Sequence, residues 1–482
     1  MNTGQIPIVQ GVAVPSGGYY QQQQQQNQQF GNYKTEPNYQ SNDSYTQANY
    51  NGVKGEEQPK QFQDVFWTFL FVAHLVVMLV LMSTMLPSIQ SGGYNAAGVV
   101  WCVSVCALVA LSLSTIALGI MMQFATQMVK MALIFSVGCS LAVGILGVLT
   151  GQLWTAIIGF ASFALGCCYA YFVWSRIPFA AANLRAALTG VKANLGLVLI
   201  AYLFLAIAFA WSVLWSVTAG ASLSSVGGGV LFFFLLSFYW VHQVLQNVVH
   251  VTTAGVIGTW WFIPEEASSF CSSAIGDSFC RATTYSFGSI CFGSFLVSLV
   301  QALRAMHRMA HENDDCSFLI CLIDCILGCI QGIIEYLNKW AYVYVGLYGY
   351  SYVEAGRNVM TLFQNKGWST IITDDLADNV LMMVSVGIGL CTGLVGLIMG
   401  KIDQNLFSGV GYDDAGVVGF ILGLLVGFLF SSIMMSVVGS AVNTVIVCFA
   451  EAPAEFQVNH RELSEEMRAA WRQAWPFECG NI

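Results

Sequence analysis

Long apolar stretches recur along the chain from residue 65 to residue 449, and they constrain the fold more than any other feature. Of the 482 residues, 56% are hydrophobic and only 9% are charged, whereas about a quarter of the residues in a soluble domain carry charge. A helix of about 20 apolar residues crosses the hydrocarbon core of a bilayer and satisfies its own backbone hydrogen bonds there. The sequence therefore predicts an all-α protein, a polytopic bundle of transmembrane helices.

The apolar stretches divide into about ten spans. We place them at residues 65–86, 97–121, 129–150, 152–174, 195–218, 229–262, 285–306, 318–337, 379–400 and 416–438. The sixth, with 34 residues, is longer than one crossing needs, so it tilts strongly, protrudes or breaks near Gly255 and Gly258. Asp324 and Glu335 interrupt the eighth predicted span. If this segment did not cross the membrane, the predicted sidedness of every later segment would be reversed.

A positively charged segment sets the predicted sidedness. Residues 175–194 contain Arg176, Arg185 and Lys192, no acidic residue, and apolar residues at helical spacing. This pattern is typical of an amphipathic helix on the cytoplasmic face of a membrane. Counting spans from that face places both termini in the cytosol. The predicted domains are an N-terminal tail, a ten-helix membrane domain and a C-terminal tail, at residues 1–64, 65–450 and 451–482.

The N-terminal 64 residues are rich in Gln, Asn and Tyr and include an unbroken run from Gln21 to Gln26. They cannot bury enough apolar surface to offset the entropy of ordering, so we predict a disordered tail. A regulatory role and an inert tail both remain open. Because no signal peptide is visible, we expect the first span to serve as its own insertion signal.

Charge and motif content disfavour two functional classes. The net charge of −9 and the 17 scattered Lys and Arg residues provide no basic stripe for a phosphate backbone, so we expect no nucleic-acid partner. The sequence contains no phosphate-binding loop, zinc-protease helix or nucleophile elbow. We therefore predict neither an enzyme nor a cofactor.

The 15 cysteines do not predict a disulfide framework, because most lie in apolar runs where cysteine acts as a small hydrophobic residue. Cys271 and Cys280 lie in a loop on the predicted cytosolic side, so we expect both thiols to stay free. The stripe of Cys321, Cys325 and Cys329 favours packing or reversible lipidation over a metal site.

The sixth span has the largest set of polar side chains inside the predicted membrane domain. Its aromatic, amide and imidazole groups are Tyr239, Trp240, His242, Gln243, Gln246, Asn247 and His250. Steps of three and four residues place most of them on one helix face. Aromatic rings attract quaternary ammonium groups, so this stripe predicts a cavity lining for a small organic cation. Interhelical hydrogen bonding that only stabilises the bundle is the alternative.

Two titratable groups are candidates for proton coupling. His250 has an imidazole, which titrates near neutral pH, and Asp324 is an acid inside the eighth span that could equally pair with Arg304. His242 and His250 are two helical turns apart, too far to bind one metal ion without further ligands. We therefore predict no metal site.

Glycines repeat at steps of three and four residues in the ninth and tenth spans, at positions 389, 393, 396, 400, 416, 419, 423 and 427. Such spacing favours close packing of the two helices. A sliding surface for a conformational change is the alternative.

The sequence around the start of the seventh span resembles that of a known family. The stretch from Arg281 to Ser294 reads RATTYSFGSICFGS, and further matches are SRIP at 175–178, GVIGTWW at 255–261, LNKWAY at 337–342 and VCFAE at 447–451. These motifs resemble those of the choline transporter-like family, most closely its compact members. The resemblance covers nearly everything after residue 64.

The resemblance implies ten spans, cytosolic termini, a place in the plasma membrane and transport of choline or a related amine, in some members with proton exchange. By position, Trp240 and Gln243 match an aromatic and a polar site on the sixth span of longer members. Where those members have a carboxylate, this chain has Gln243.

The residues and the resemblance together predict a transporter of choline or an ethanolamine-like cation that works by alternating access. The predicted ammonium contacts are Trp240, Tyr239 and Tyr285. Gln243 and Asn247 are predicted to bind a hydroxyl, and His250 or Asp324 to carry a coupling proton. The expected partners are the amine and membrane lipids. The runner-up is a non-transporting membrane scaffold or a lipid-handling protein, and the sequence leaves the oligomeric state open.

Overall fold

The computed structural model describes residues 60–85, 96–222, 228–310, 318–366, 376–407, 414–476 and 479, and every regular element within these ranges is a helix. The predicted all-α fold class is therefore confirmed. Residues 1–59 lie outside the described residues, so the disorder of the N-terminal tail and the division into three domains stay predictions.

The helices follow one another along the chain with short connections. They are α1 (Val65–Met85), α2 (Ala96–Leu149), α3 (Leu153–Val173), α4 (Ile177–Ala193), α5 (Gly196–Ser222), α6 (Gly228–Phe262), α7 (Ser273–Thr283), α8 (Phe287–Ala310), α9 (Phe318–Tyr348), α10 (Tyr352–Lys366), α11 (Leu376–Ile402), α12 (Ala415–Glu451), α13 (Pro453–Asn459) and α14 (Arg461–Ala474). Single 3-10 turns precede α4 and follow α6.

Seven helical segments in the described ranges are long and apolar enough to cross a membrane, judged by length and composition. The described part of α1 is apolar but shorter, over Val65–Leu81. Helix α9, which contains Asp324 and Glu335, is not among the seven. The chain is thus a polytopic helical membrane protein, and the number of ten spans stays a prediction.

The predicted second and third spans are joined in the single helix α2, which has 54 residues. Only Phe124, with φ −124° and ψ 34°, departs from helical geometry inside it. The connection that we predicted between residues 121 and 129 is therefore a kink and not a loop. It contains no glycine or proline to end the helix.

The third and fourth predicted spans form the expected tight hairpin. A turn at Gly151, whose φ of +71° lies in the left-handed region that favours glycine, connects α2 to α3. Further along the hairpin, a Cβ atom at Gly159 would overlap the backbone at Gly144. Small residues thus let the two helices approach closely.

Helix α6 is unbroken over its 35 residues, so of the three possibilities given for this span a break near Gly255 and Gly258 is wrong, and a strong tilt or a protrusion is left. Both glycines instead make room for neighbouring helices. A Cβ atom at Gly255 would lie 2.7 Å from the hydroxyl of Ser278 on α7, and one at Gly258 would overlap the side chain of Leu347 on α9. Close packing, not a change of helix direction, explains these two positions.

The glycines of the ninth and tenth predicted spans lie between α11 and α12. A Cβ atom at Gly396 would overlap the carbonyl of Gly419, and one at Gly400 would overlap the carbonyl of Ala415. The packing interpretation of the glycine repeat is confirmed.

Helix α4 lies where we predicted an amphipathic surface helix, but protein covers its apolar face. Phe179, Leu184, Leu188 and Val191 are all buried, and the side chains of α14 pack on this helix. Its apolar side therefore contacts protein and not lipid. Arg185 and Lys192 stay exposed, in keeping with the amphipathic pattern.

The predicted C-terminal tail is folded over residues 453–474. Helices α13 and α14 pack against α4 and against the C-terminal end of α6. Asn459 donates hydrogen bonds to the carbonyl oxygens of Trp261 and Phe262, at 2.9 and 2.8 Å. These bonds satisfy carbonyl groups that the end of a helix leaves without intrahelical partners.

Candidate functional site

Most of the polar stripe of α6 faces other helices, whereas Gln246 is exposed. Trp240, Gln243, Asn247 and His250 follow one another at steps of three and four residues, which places them on one face. Trp240 and Asn247 are 2% and 9% exposed, whereas Tyr239, Gln243 and His250 are partly buried. The structure thus brings four of the predicted site residues together on the protein-facing side of a single helix.

Trp240 lies where α1, α6 and α8 meet. Its indole N–H donates to the carbonyl of Cys291 on α8, at 3.0 Å. Its ring lies 5.1 Å from that of Phe71 on α1 and 5.0 Å from that of Phe295 on α8, measured between ring centroids, and both contacts are edge-to-face. The side chain is therefore enclosed by aromatic rings from two other helices.

Asn247 is tied to a buried hydrogen-bond network. Its amide donates to the hydroxyl of Ser294 on α8, at 3.0 Å. That hydroxyl lies 3.3 Å from the phenol oxygen of Tyr342 on α9, which in turn donates to the carbonyl of Ile290. Among the described residues, Gln243 makes only a long contact of 3.5 Å with the Asn247 amide. The contacts of Asn247 therefore fit the alternative interpretation, in which the polar stripe only joins helices by hydrogen bonds.

The two histidines of the stripe have different partners. Nδ1 of His250 lies 3.0 Å from the hydroxyl of Ser440 on α12. His242 lies 2.8 Å from the hydroxyl of Ser212 on α5 and 2.6 Å from the carbonyl of Phe238. Neither belongs to a group of three potential metal ligands within the described ranges.

Tyr285 lies in the turn between α7 and α8. Its ring packs against that of Phe62, with centroids 4.9 Å apart, and its carbonyl accepts a hydrogen bond from the Gln63 amide, at 2.9 Å. These contacts hold the chain that enters α1. The sequence alone could not indicate this role, because the two segments are more than 200 residues apart.

Asp324 on α9 forms ion pairs with two arginines of α8. Its carboxylate lies 2.8 Å from Arg304 Nε and 3.1 Å from Arg308 Nη2. The alternative that we gave for this residue, pairing with Arg304, is confirmed. A carboxylate held by two guanidinium groups is stabilised in its ionised form, which makes Asp324 a weaker candidate for carrying a coupling proton.

Asp64 is a residue that we assigned to the tail on sequence grounds. Its carboxylate accepts hydrogen bonds from the hydroxyl of Ser289 on α8, at 2.7 Å, and from the backbone N–H of Tyr352 on α10, at 2.8 Å. Both donors lie in the first turn of their helices, where a negative charge is favourable. Asp64 thus fixes the start of α1 beside α8 and positions the α1 side of the Trp240 enclosure.

His74 on α1 is a second residue that the sequence analysis missed. It is 7% exposed, and its ring lies 5.0 Å from that of Trp240 between centroids. The available signal was its position as the one titratable side chain inside the first predicted span, because ionisable residues inside membrane spans are candidate functional residues.

Comparison with known proteins gives a family match. The family model described as plasma-membrane choline transporter matches residues 157–454. That range includes the whole α6 stripe and ends just after α12. It leaves α1, α2 and the first four residues of α3 outside the matched region.

Similar proteins come from fungi and from a social amoeba. Protein PNS1 of Debaryomyces hansenii is 28% identical over 65% of this chain and 66% of its own length. A CTL-like protein of Dictyostelium discoideum is 29% identical over 49% and 44%, and Protein PNS1 of Mycosarcoma maydis is 28% identical over 93% and 90%. The chain thus spans just under two thirds of the first relative, less than half of the second and most of the third.

Proposed function

The chain belongs to the choline transporter-like family, and from this membership we propose that it carries choline or a related small organic cation, such as ethanolamine, across the plasma membrane by alternating access. Family membership supports a membrane transporter in general. The proposal adds the substrate, the transport mechanism, the plasma membrane as the location and the cytosolic position of both termini.

The observation that carries the proposal is the aromatic enclosure of Trp240. Rings of Phe71 and Phe295 surround the indole where three helices meet. A quaternary ammonium group carries its charge under methyl groups, so aromatic faces attract it without hydrogen bonds. Trp240 also occupies the position that matches an aromatic site in longer members of the family.

The enclosure also bears on the mechanism. With Trp240 only 2% exposed, a cation can reach the indole only when the surrounding helices separate. Alternating access requires such a change on each side of the membrane in turn. Helix α1 contributes Phe71 to the enclosure and many of its other side chains are exposed, so its displacement would open a path to the indole.

The test is choline transport by purified protein in proteoliposomes. We expect saturable uptake and counterflow of labelled choline. Trp240→Leu, which keeps much of the volume but removes the aromatic ring, should abolish saturable uptake, and Trp240→Phe should retain part of it. Gel filtration and thermal unfolding of each variant check that the fold is intact.

Trp154 provides the matched control, because its indole is 75% exposed on α3. Trp154→Leu should transport choline as the unmodified protein does. If folded Trp240→Leu protein kept the same KM and maximal rate, Trp240 would be removed from the site.

We further propose that His250 carries a coupling proton. Its Nδ1 bonds to Ser440 on α12, whereas its Nε2 has no hydrogen-bond partner within the described residues. A proton gradient should therefore drive choline uptake in the unmodified protein. His250→Gln should lose this response and keep counterflow, which needs no net driving force. An unchanged response to the gradient would contradict the assignment.

A second candidate function is a membrane scaffold or a lipid-handling protein. The hydrogen bond from Asn247 to Ser294 favours it, because this bond joins two helices through a residue of the polar stripe. The same counterflow measurement separates the two functions, since a scaffold exchanges no labelled choline.

A further inference from the structure

His74 lies on the face of α1 that packs against the other described helices. Phe71, His74 and Met78 are buried and follow one another at steps of three and four residues. On the remaining sides of the helix, Phe66, Phe69, Val76, Val77 and Val80 are exposed, as expected for side chains that face lipid. The imidazole therefore points into the bundle from a helix that has no other titratable side chain.

Neither ring nitrogen of His74 has a hydrogen-bond partner on another helix within the described residues, although the Phe71 carbonyl, one turn earlier on α1, interacts with the ring. The two histidines of α6 differ in this respect, since His242 bonds to Ser212 and His250 bonds to Ser440. Buried polar groups are nearly always paired with protein, water or a ligand. An imidazole that is more than nine-tenths buried and has no partner on a neighbouring helix within the described residues is thus available for a ligand.

The surroundings of His74 identify the kind of partner. Its ring lies 5.6 Å from that of Phe233 and 5.0 Å from that of Trp240, between centroids, and both neighbours are on α6. Ser237 lies between these two residues on the same helix face, is fully buried, and its hydroxyl also has no partner within the described residues. Two unpaired hydrogen-bonding groups on adjacent helices thus flank the aromatic rings.

We infer that His74 binds the hydroxyl group of a hydroxyalkyl ammonium substrate whose cationic end lies against Trp240. This inference rests on the proposed function. It adds the residue that recognises the hydroxyl, which is the group that distinguishes an amino alcohol from a plain alkyl ammonium ion. A neutral imidazole can donate through one nitrogen and accept through the other, which suits a hydroxyl. Ser237 completes the polar side of this site.

The assignment differs from the one made on the sequence, which gave the hydroxyl to Gln243 and Asn247. Asn247 already donates to Ser294, so one N–H of its amide is engaged. His74 also lies outside the region matched by the family model, which begins at residue 157. The two assignments make different predictions for single variants and can be separated by experiment.

The test compares choline with propyltrimethylammonium, in which a methyl group replaces the hydroxyl. Transport of both labelled compounds is measured by counterflow in proteoliposomes. The unmodified protein should prefer choline. In His74→Phe protein, choline transport efficiency should fall about tenfold to a hundredfold, as expected for a lost buried hydrogen bond. Propyltrimethylammonium should be transported nearly as before, so that the preference disappears.

His74→Gln is the second variant, because it retains a donor and an acceptor. It should keep part of the preference for choline, which a purely structural role for His74 would not predict. Val77→Phe on the lipid-facing side of α1 is the matched control and should leave both substrates unaffected. Gel filtration confirms that each variant folds.

The outcomes are distinguishable. If the unmodified protein shows no choline counterflow, the proposed function fails. If choline is transported but His74→Phe keeps the preference for choline, only the inference about His74 fails. If the preference for choline disappeared in Gln243→Leu and not in His74→Phe, the hydroxyl would be assigned to Gln243, as predicted from the sequence.

Discussion

The indole N–H of Trp471 donates a hydrogen bond of 2.8 Å to the side-chain oxygen of Asn183, and both residues are fully buried. This bond joins α14, near the end of the chain, to α4, which follows the fourth predicted span. The Trp471 ring also packs against that of Phe179, with centroids 4.8 Å apart. The C-terminal segment is therefore an integrated part of the helical bundle.

Replacing Trp471 with Phe should destabilise the protein. The variant keeps most of the ring packing but leaves the Asn183 oxygen buried without its donor, which costs about 1–3 kcal/mol in the free energy of unfolding. Thermal unfolding in detergent measures the effect. Glu466→Gln is the control, because it breaks an exposed ion pair with Arg185 and should cost less than about 1 kcal/mol. Equal losses in the two variants would contradict the proposed importance of the buried bond.

The sequence could predict the spans of this fold but not the role of its C-terminal part. Apolar length alone predicts α3, α5 and α11 to within a few residues, because lipid imposes that length. Helix α14 is polar on one side and pairs with α4 across almost 300 positions of sequence, and only the tertiary structure brings them together. A break in α6 was one of three possibilities that the sequence left open, because glycine serves both helix bending and close packing, and the sequence does not distinguish these uses.

Replacing Gly396 with Leu should disrupt the packing of α11 on α12. A Cβ atom at this position would overlap the carbonyl of Gly419, so the helices must separate. We expect a loss of about 1–3 kcal/mol or more in stability, measured by thermal unfolding. Gly387 lies on the same helix, and a Cβ atom there would have no neighbouring atom within 4 Å. Gly387→Leu should therefore be tolerated, and similar losses in both variants would show that the close approach is not what requires glycine.

The candidate site was predictable in part. Clustering of polar residues on α6 was visible from their spacing, and Trp240 does lie at a meeting point of helices. The sequence could not show that Asn247 is engaged by Ser294, or that Tyr285 contacts the segment before α1, because these contacts join separate helices. His74 was missed since a lone polar residue has no periodicity to reveal it.

Cys271 and Cys280 provide a test of sidedness. Both thiols are free and exposed, and the predicted topology places them in the cytosol. A membrane-impermeant maleimide should label them in inside-out vesicles and not in right-side-out vesicles, with the labelled positions identified by mass spectrometry. Cys139, exposed on the apolar helix α2, should react poorly from either side. Labelling of Cys271 from outside would reverse the topology.

His460 should make the docking of the C-terminal segment depend on pH. Its Nε2 donates to the carbonyl of Trp260, at 3.1 Å, and its ring stacks on that of Trp260 with centroids 4.1 Å apart. Burial lowers the pKa of His460 below its ordinary value, and the hydrogen bond to the carbonyl only partly opposes this effect. The folded segment therefore holds a neutral imidazole at pH values where the released segment would take up a proton.

The sign of the effect follows from that difference. Above the ordinary pKa of about 6.5, both states are neutral and the docked segment keeps its full stability. As the pH falls below that value, protonation of the undocked state favours release. Hydrogen exchange over residues 453–474, corrected for intrinsic rates, should show less protection at pH 5.5 than at pH 7.5. His460→Gln should reduce this difference, whereas Arg461→Gln, which removes an exposed ion pair with Glu465, should preserve it. If protection changed with pH equally in the His460 variant and the unmodified protein, another group would have to be responsible.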